Sequence, residues 1–318
     1  MKLLLCLLTA SSLFAAVDGI VMNGTTGKPQ GAVEVSLLQP GAGGMQTLAH
    51  VKSSADGSFS IEARIPPGPA IIQAMYQGVA YHLVVTPGTP TTGLRVPVYE
   101  ATKDLQSAKI AQHMLVIEPS SDALQISETF LAQNTTQRTF DDPTRGSVEF
   151  FVPEAARDKV NVTIAAPGGM PINRPAESTK KPGIYKASYP LKPGETRFDV
   201  NYSLPAAASF TGRNPDASTP INIVTPSTVT LSGDGIEPRG REPQTQANIY
   251  TVSTPEFTAQ IEGTGSLRSP GTAQDADNGQ PQPKVEAPRI YSRLGWVLAF
   301  AFAILALGGA MLYRKGEA

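Results

Sequence analysis

Thr196-Arg-Phe198-Asp-Val200-Asn-Tyr202-Ser-Leu204 alternates apolar and polar side chains for nine residues. Successive side chains of a strand point to opposite faces, so this stretch is predicted as a strand with one face on a core and one in water. Val33-Glu-Val35-Ser-Leu37 and Phe59-Ser-Ile61-Glu-Ala63 repeat the pattern. Working outward, seven strands are predicted at 17–22, 32–38, 46–52, 58–65, 70–76, 79–85 and 94–99. Nine more follow at 113–118, 123–133, 147–152, 160–166, 183–191, 196–204, 221–231, 247–253 and 257–262. The joints carry turn chemistry. Asn23-Gly24, Thr26-Gly27 and Asp56-Gly57 tolerate positive φ, and Pro66-Pro67-Gly68-Pro69 cannot continue a ladder.

Composition agrees with an all-β chain. The 29 glycines and 28 prolines make 57 of 318 residues, about 18 % against a usual ~12 %. Charged residues are 17 % and the net charge is −1, so neither nucleic acid nor an anionic membrane surface is implied as a partner. The only cysteine is Cys6. An ectodomain without cysteine points to a bacterial envelope rather than to a disulfide-stapled animal protein. Four N-x-[ST] sequons, at Asn23, Asn134, Asn161 and Asn201, are read as by-products of a Thr-rich β chain.

In the N-terminal region, the run Asp18-Gly19-Ile20-Val21-Met22-Asn23-Gly24-Thr25-Thr26-Gly27-Lys28-Pro29-Gln30-Gly31-Ala32-Val33-Glu34-Val35-Ser36-Leu37 is followed by Ser54-Ala55-Asp56-Gly57-Ser58-Phe59-Ser60. Together with Pro69–Gly78 it resembles the carboxypeptidase regulatory-like domain. The resemblance implies a small seven-stranded, transthyretin-like β-sandwich at 17–99. It rests on turn and core positions, so it implies a fold and carries no chemistry. After a solvated linker at 100–112, the nine further strands predict a second, immunoglobulin-like β-sandwich at 113–265. Pro167–Lys181 and Gly212–Thr219 are read there as long polar loops.

The two ends set the expected topology. Met1-Lys2 and the apolar Leu3–Ala16 read as a signal peptide, 1–16, cleaved near Ala15–Val17. The segment 266–293 is rich in Pro, Gly, Gln and Asp and is expected to act as a disordered linker. Leu294–Tyr313 holds twenty residues without a charge, and as a helix they are about 30 Å long, enough to span a bilayer. Trp296 and Tyr313 are expected at headgroup level, and Arg314 and Lys315 open a cytoplasmic tail, 314–318. The sandwiches then lie outside the cytoplasm on a single-pass anchor. Gly295, Ala299 and Ala303 share one helix face and are an expected homodimer contact.

Catalytic motifs are missing: the sequence has no G-x-S-x-G, H-E-x-x-H or C-x-x-C pattern and no phosphate loop. No catalytic, cofactor or metal residues are assigned. His50, His82 and His113 are scattered in sequence, and they are read as ordinary strand residues against a His/Met copper site with Met75 or Met114. Asp141-Asp142 and Asp234/Glu237 are read as turn residues against a calcium site. Three functional readings follow. The first is a non-catalytic envelope protein presenting its sandwiches to a protein partner. The second is a carbohydrate-binding protein that stacks a polysaccharide on Tyr76 or Tyr81. The third is a metal-binding or enzymatic protein that uses the histidines.

Overall fold

The computed structural model describes residues 16–41, 44–63, 68–104, 108–157 and 159–267. Residues 1–15 of the expected signal peptide, the expected linker from Arg268 onward and the expected span with Trp296, Tyr313, Arg314, Lys315 and its Gly295, Ala299 and Ala303 face lie outside these residues, whereas Ala16 opens the first strand and Leu267 N donates to Glu118. Among the described residues, no helix is long and apolar enough to cross a membrane. They are all-β apart from one short 3-10 turn, Glu154–Ala156.

The first eight strands are β1 (Ala16–Asn23), β2 (Lys28–Pro29), β3 (Glu34–Gly41), β4 (Gly44–Lys52), β5 (Ser58–Glu62), β6 (Ala70–Tyr76), β7 (Val79–Val85) and β8 (Leu94–Val98). They form two four-stranded sheets. In one, β1 pairs with β2 and β5 along one edge and in parallel with β8 along the other. The second runs β4-β3-β6-β7 and is antiparallel throughout. Alternate residues from both sheets meet in one core, including Val21, Val35, Leu37, Phe59, Ile61, Ile72 and Val96. Gly57 has φ of 80° in the turn before β5, and a Cβ there would lie 2.8 Å from Val21 O. Only glycine fits that approach.

Fifteen short or long strands follow, with β9 (Ala101–Thr102) at the joint. They are β10 (Lys109–Pro119), β11 (Ala123–Asn134), β12 (Thr139–Phe140), β13 (Val148–Phe151), β14 (Asn161–Ala165), β15 (Ile172–Arg174), β16 (Glu177–Ser178), β17 (Ile184–Ala187), β18 (Gly194–Pro205), β19 (Ser209–Arg213), β20 (Ile221–Thr225), β21 (Thr230–Ser232), β22 (Ile236–Arg241), β23 (Asn248–Val252) and β24 (Glu256–Glu262). An eight-stranded sheet, β15-β14-β18-β11-β10-β20-β23-β22, is the backbone of this region. Two three-stranded sheets, β13-β17-β16 and β19-β24-β21, share a single apolar cluster with it. The long β11 and β18 pair from Ala123↔Pro205 to Asn134↔Gly194. Along β18, Thr196, Phe198, Val200 and Tyr202 are buried while the residues between them are not, as the alternation predicts.

This region differs from the expectation in several places, among them β19, which takes in Gly212 and Arg213 of the stretch read as a loop, and β22, where no strand was predicted. The stretch predicted as one strand, 221–231, divides at Pro226 between two sheets. Proline has no N–H for a ladder, and a turn closes there through Val229 N to Pro226 O at 2.9 Å. The stretch Pro167–Lys181, read as loop, contributes the edge strands β15 and β16. The stretch 100–112, read as a solvated linker, is paired. Its Ala101 and Thr102 lie parallel to Thr139 and Phe140, and β10 begins at Lys109.

The two cores lie within one unit that extends to Leu267, and polar contacts join them around β9. Thr139 N donates to Glu100 O at 2.9 Å and Asp141 N to Thr102 O at 2.9 Å. The Thr25 hydroxyl donates to Gln137 O and accepts from Glu100 N. Arg138 and Glu100 form an exposed ion pair at 3.3 Å.

Candidate functional site

The sequence-predicted contact residues fall at different kinds of position. Tyr76 ends β6 half-buried, and its hydroxyl accepts from Asn23 Nδ2 and Gln77 Nε2, each at 3.4 Å. Tyr81 is 3 % exposed. Its hydroxyl donates to Tyr99 O at 2.8 Å and shares a 2.8 Å bond with Thr139 Oγ1. Lys192 Nζ sits over its ring, 5.1 Å from the centroid. Tyr81 therefore fastens the first core to the second and offers no open face to a sugar. Burial raises its phenol above the usual range.

The histidines do not converge. His50 lies on exposed β4, His82 bonds Gln73 Oε1 at 3.0 Å on β7, and His113 is buried in β10. Among the described residues, no three His, Cys, Asp or Glu side chains are placed to hold a metal ion. Asp142 Oδ1 accepts from Thr144 N at 3.0 Å, and Glu237 pairs with Arg239 at 3.0 Å. Both fit turn and surface roles.

A depression of about 870 Å³ opens between the large sheet and the β13 sheet. Its size lies within the range of ligand sites. One wall is Asn214–Thr219, pinned at both ends. Asn214 N donates to Pro255 O at 2.7 Å, its Nδ2 to Thr219 O at 2.8 Å, and Thr219 Oγ1 to Ile110 O at 2.9 Å. Between the pins, Asp216 Oδ1 accepts from Ser218 N and Oγ. The facing wall runs from Arg145 to Glu149 and includes Lys181, which pairs with Glu149 at 3.1 Å. Gly146, with φ of 83°, turns the chain into it. A shallower groove of about 310 Å³ shares Lys181, Asn214 and Pro215 with the cleft and runs on past Arg213.

His113 and Phe130 line the floor. They are register partners on β10 and β11, with rings stacked 4.2 Å apart at 29°. His113 Nε2 lies 2.6 Å from Glu128 Oε1, with both residues buried. Because Glu128 pairs with Leu115, two residues along from His113, the two side chains share one face diagonally. The carboxylate's charge, after burial, helps to push the Tyr202 phenol well above its ordinary range. The nearby Ser147 hydroxyl is committed, donating to Tyr189 O at 2.5 Å and accepting from Tyr189 N. It is therefore no nucleophile for the imidazole.

The cleft has an uncompensated polar side. Lys109 and Arg145 have no carboxylate partner among the described residues. Asn214 is 4 % exposed and its Oδ1 has no donor, a cost of about 1–3 kcal/mol for a buried acceptor. Sequence reasoning named the Gly212–Thr219 wall but missed Glu128. The available signal was parity: Leu124, Ile126, Glu128 and Phe130 occupy one face of β11, so a charged residue stands among core positions.

A smaller pocket of about 170 Å³ at the junction holds Lys192 with Tyr81, Tyr99 and Tyr189. Burial lowers the lysine to about 8.

No protein-family model matches the chain, and no curated protein matches it. Among solved structures, an M1 zinc metallopeptidase from Deinococcus radiodurans aligns at 9 % identity and a TM-score of 0.24, over 48 % of this chain and 42 % of that one. A mutant of the same peptidase bound to a Tyr-Ser-Ala substrate aligns at 10 % identity and a TM-score of 0.26, over 49 % and 43 %. The chain thus spans less than half the length of these structures.

Proposed function

We propose that this chain is a non-catalytic, membrane-anchored envelope protein whose β domains hold a protein partner outside the cytoplasm. The observation that carries this reading is the cleft of about 870 Å³, walled by Asn214–Thr219 and by Arg145–Glu149 with Lys181. A rigid polar cleft on a β scaffold is a docking place that needs no catalytic apparatus. The commitments of its reactive groups support the non-catalytic part. His113 Nε2 is held by Glu128 inside the core, and the Ser147 hydroxyl is bonded to the Tyr189 backbone rather than to the imidazole. In the same proposal, 17–99 is a transthyretin-like sandwich of the carboxypeptidase regulatory-like kind, and the second region is immunoglobulin-like in the broad sense of facing sheets. The closed face of Tyr81 weighs against sugar stacking.

The test is photocrosslinking in cells. A photoreactive residue at Ser218 in the cleft wall should yield one principal protein adduct, whereas one at His50 on exposed β4 should not. Equal adducts from both positions, or none from Ser218, would overturn the assignment of the cleft.

A further inference from the structure

β10 extends beyond its neighbour. Its pairing with β20 covers only His113–Val116, so on that side Lys109–Gln112 faces no strand among the described residues. Among the described residues, Ile110 O is met there by the Thr219 hydroxyl. The bulge between Ile110 and Gln112 leaves Ala111 outside the ladder, and Lys109, Ala111 and Gln112 are exposed. Across the cleft, β13 is itself an edge strand, paired among the described residues with β17 alone. An extended chain entering the cleft therefore meets unpaired backbone, and strand addition is the recognition mode such an edge supports. Lys109 and Arg145 stand at the same cleft without an ion-pair partner among the described residues, while its Asp216 is engaged by Ser218 and its Glu149 by Lys181. The cleft's aromatic rings, His113 and Phe130, are buried against each other and present no face on which a sugar ring could stack.

We propose that the cleft binds an acidic peptide segment in extended form, added along the open edge of β10 with its carboxylates on Lys109 and Arg145. This deepens, and rests on, the reading of the cleft as the docking place. Backbone N–H groups of the segment supply donors to the strand edge. The two cations select for Asp or Glu. The continuing groove past Lys181 and Arg213 gives the segment room to run on.

The test uses the purified full chain and an array of labelled octapeptides in which Glu alternates with each other residue type, read by fluorescence anisotropy. The best binder should weaken about tenfold or more when its Glu residues become Gln, and by a similar factor against Lys109→Ala/Arg145→Ala. N-methylation of alternate amides in that peptide should abolish binding in one of the two registers, which needs no protein variant. Equal affinity for the Gln peptide, or indifference to N-methylation in both registers, overturns the proposal. Binding of oligogalacturonate but of no peptide also overturns it, in favour of an acidic polysaccharide. A Ser218 crosslink to a partner without any acidic-peptide binding would sink this inference and leave the docking assignment standing. Absence of both would sink the two together.

Discussion

Glu128 Oε1 lies 2.6 Å from His113 Nε2 in the interior of an otherwise apolar β core, and neither residue is more than 5 % exposed. The pair forms part of the wall behind the proposed docking cleft. Removing one partner leaves the other buried alone, whereas removing both lets the core close over apolar groups.

Glu128→Ala should therefore cost about 3–5 kcal/mol. The double change His113→Phe/Glu128→Leu should recover most of that loss. Denaturant unfolding of each variant measures the two values. If the double variant were as unstable as the single one, the pair would owe its effect to shape rather than to charge burial.

Tyr81 and Thr139 meet across the joint between the two cores. Tyr81→Phe removes the hydroxyl and leaves Tyr99 O and Thr139 Oγ1 without it, a predicted loss of about 1–3 kcal/mol. Arg138→Ala, which breaks an exposed pair with Glu100, should change stability by less than about 1 kcal/mol. Thermal melts compare them. A larger effect from Arg138 would mean that the surface charges, and not Tyr81, hold the joint.

Lys192 gives a pH signature. Burial lowers its amine from 10.5 to about 8 in the folded chain, while the unfolded chain keeps the ordinary value. Between those two values the unfolded state binds more protons, so this group's contribution to stability rises with pH from about 8 to 10.5. The wild type should gain on Lys192→Met across that window. Taking the difference removes the buried tyrosines that both proteins share. A flat difference would show that the amine titrates normally.

The topology is open to direct test. With the proposed anchor at Leu294–Tyr313, protease added to spheroplasts should degrade the β domains and leave a small membrane-embedded fragment. Complete protection of the domains would reverse the orientation.

Much of the secondary structure was legible because strand geometry writes itself into the chain with a period of two. Phe59–Glu62 and Thr196–Tyr202 bury alternate residues as their patterns require, while Val33–Leu37 also buries Ser36. Turn chemistry was legible for the same local reason. Two of the four sequons prove to be turns: Asn23 Oδ1 accepts from Thr25 N and Thr26 N, and Asn134 Oδ1 from Thr136 N and Oγ1. Both asparagines are 2 % exposed, so their Asn-x-Thr spacing serves folding.

What lay beyond the sequence depends on neighbours far along the chain. Ala101 and Thr102 look solvated until Thr139 and Phe140 pair with them, and Tyr81 looks like an ordinary half-buried strand residue until Thr139 and Lys192 close over it. The cleft is composed from β10, the Arg145 turn, Lys181 and the Asn214–Thr219 wall, segments that no local pattern connects. Alternation and turn residues act over a few bonds and so determined most of the longer strands, while short edge strands such as β2, β12 and β19 and the Pro- and Gly-bearing β22 carry no such pattern. Which edges remain open, and which charges remain unpaired beside them, was decided only by tertiary structure, because both depend on the register between strands remote in sequence.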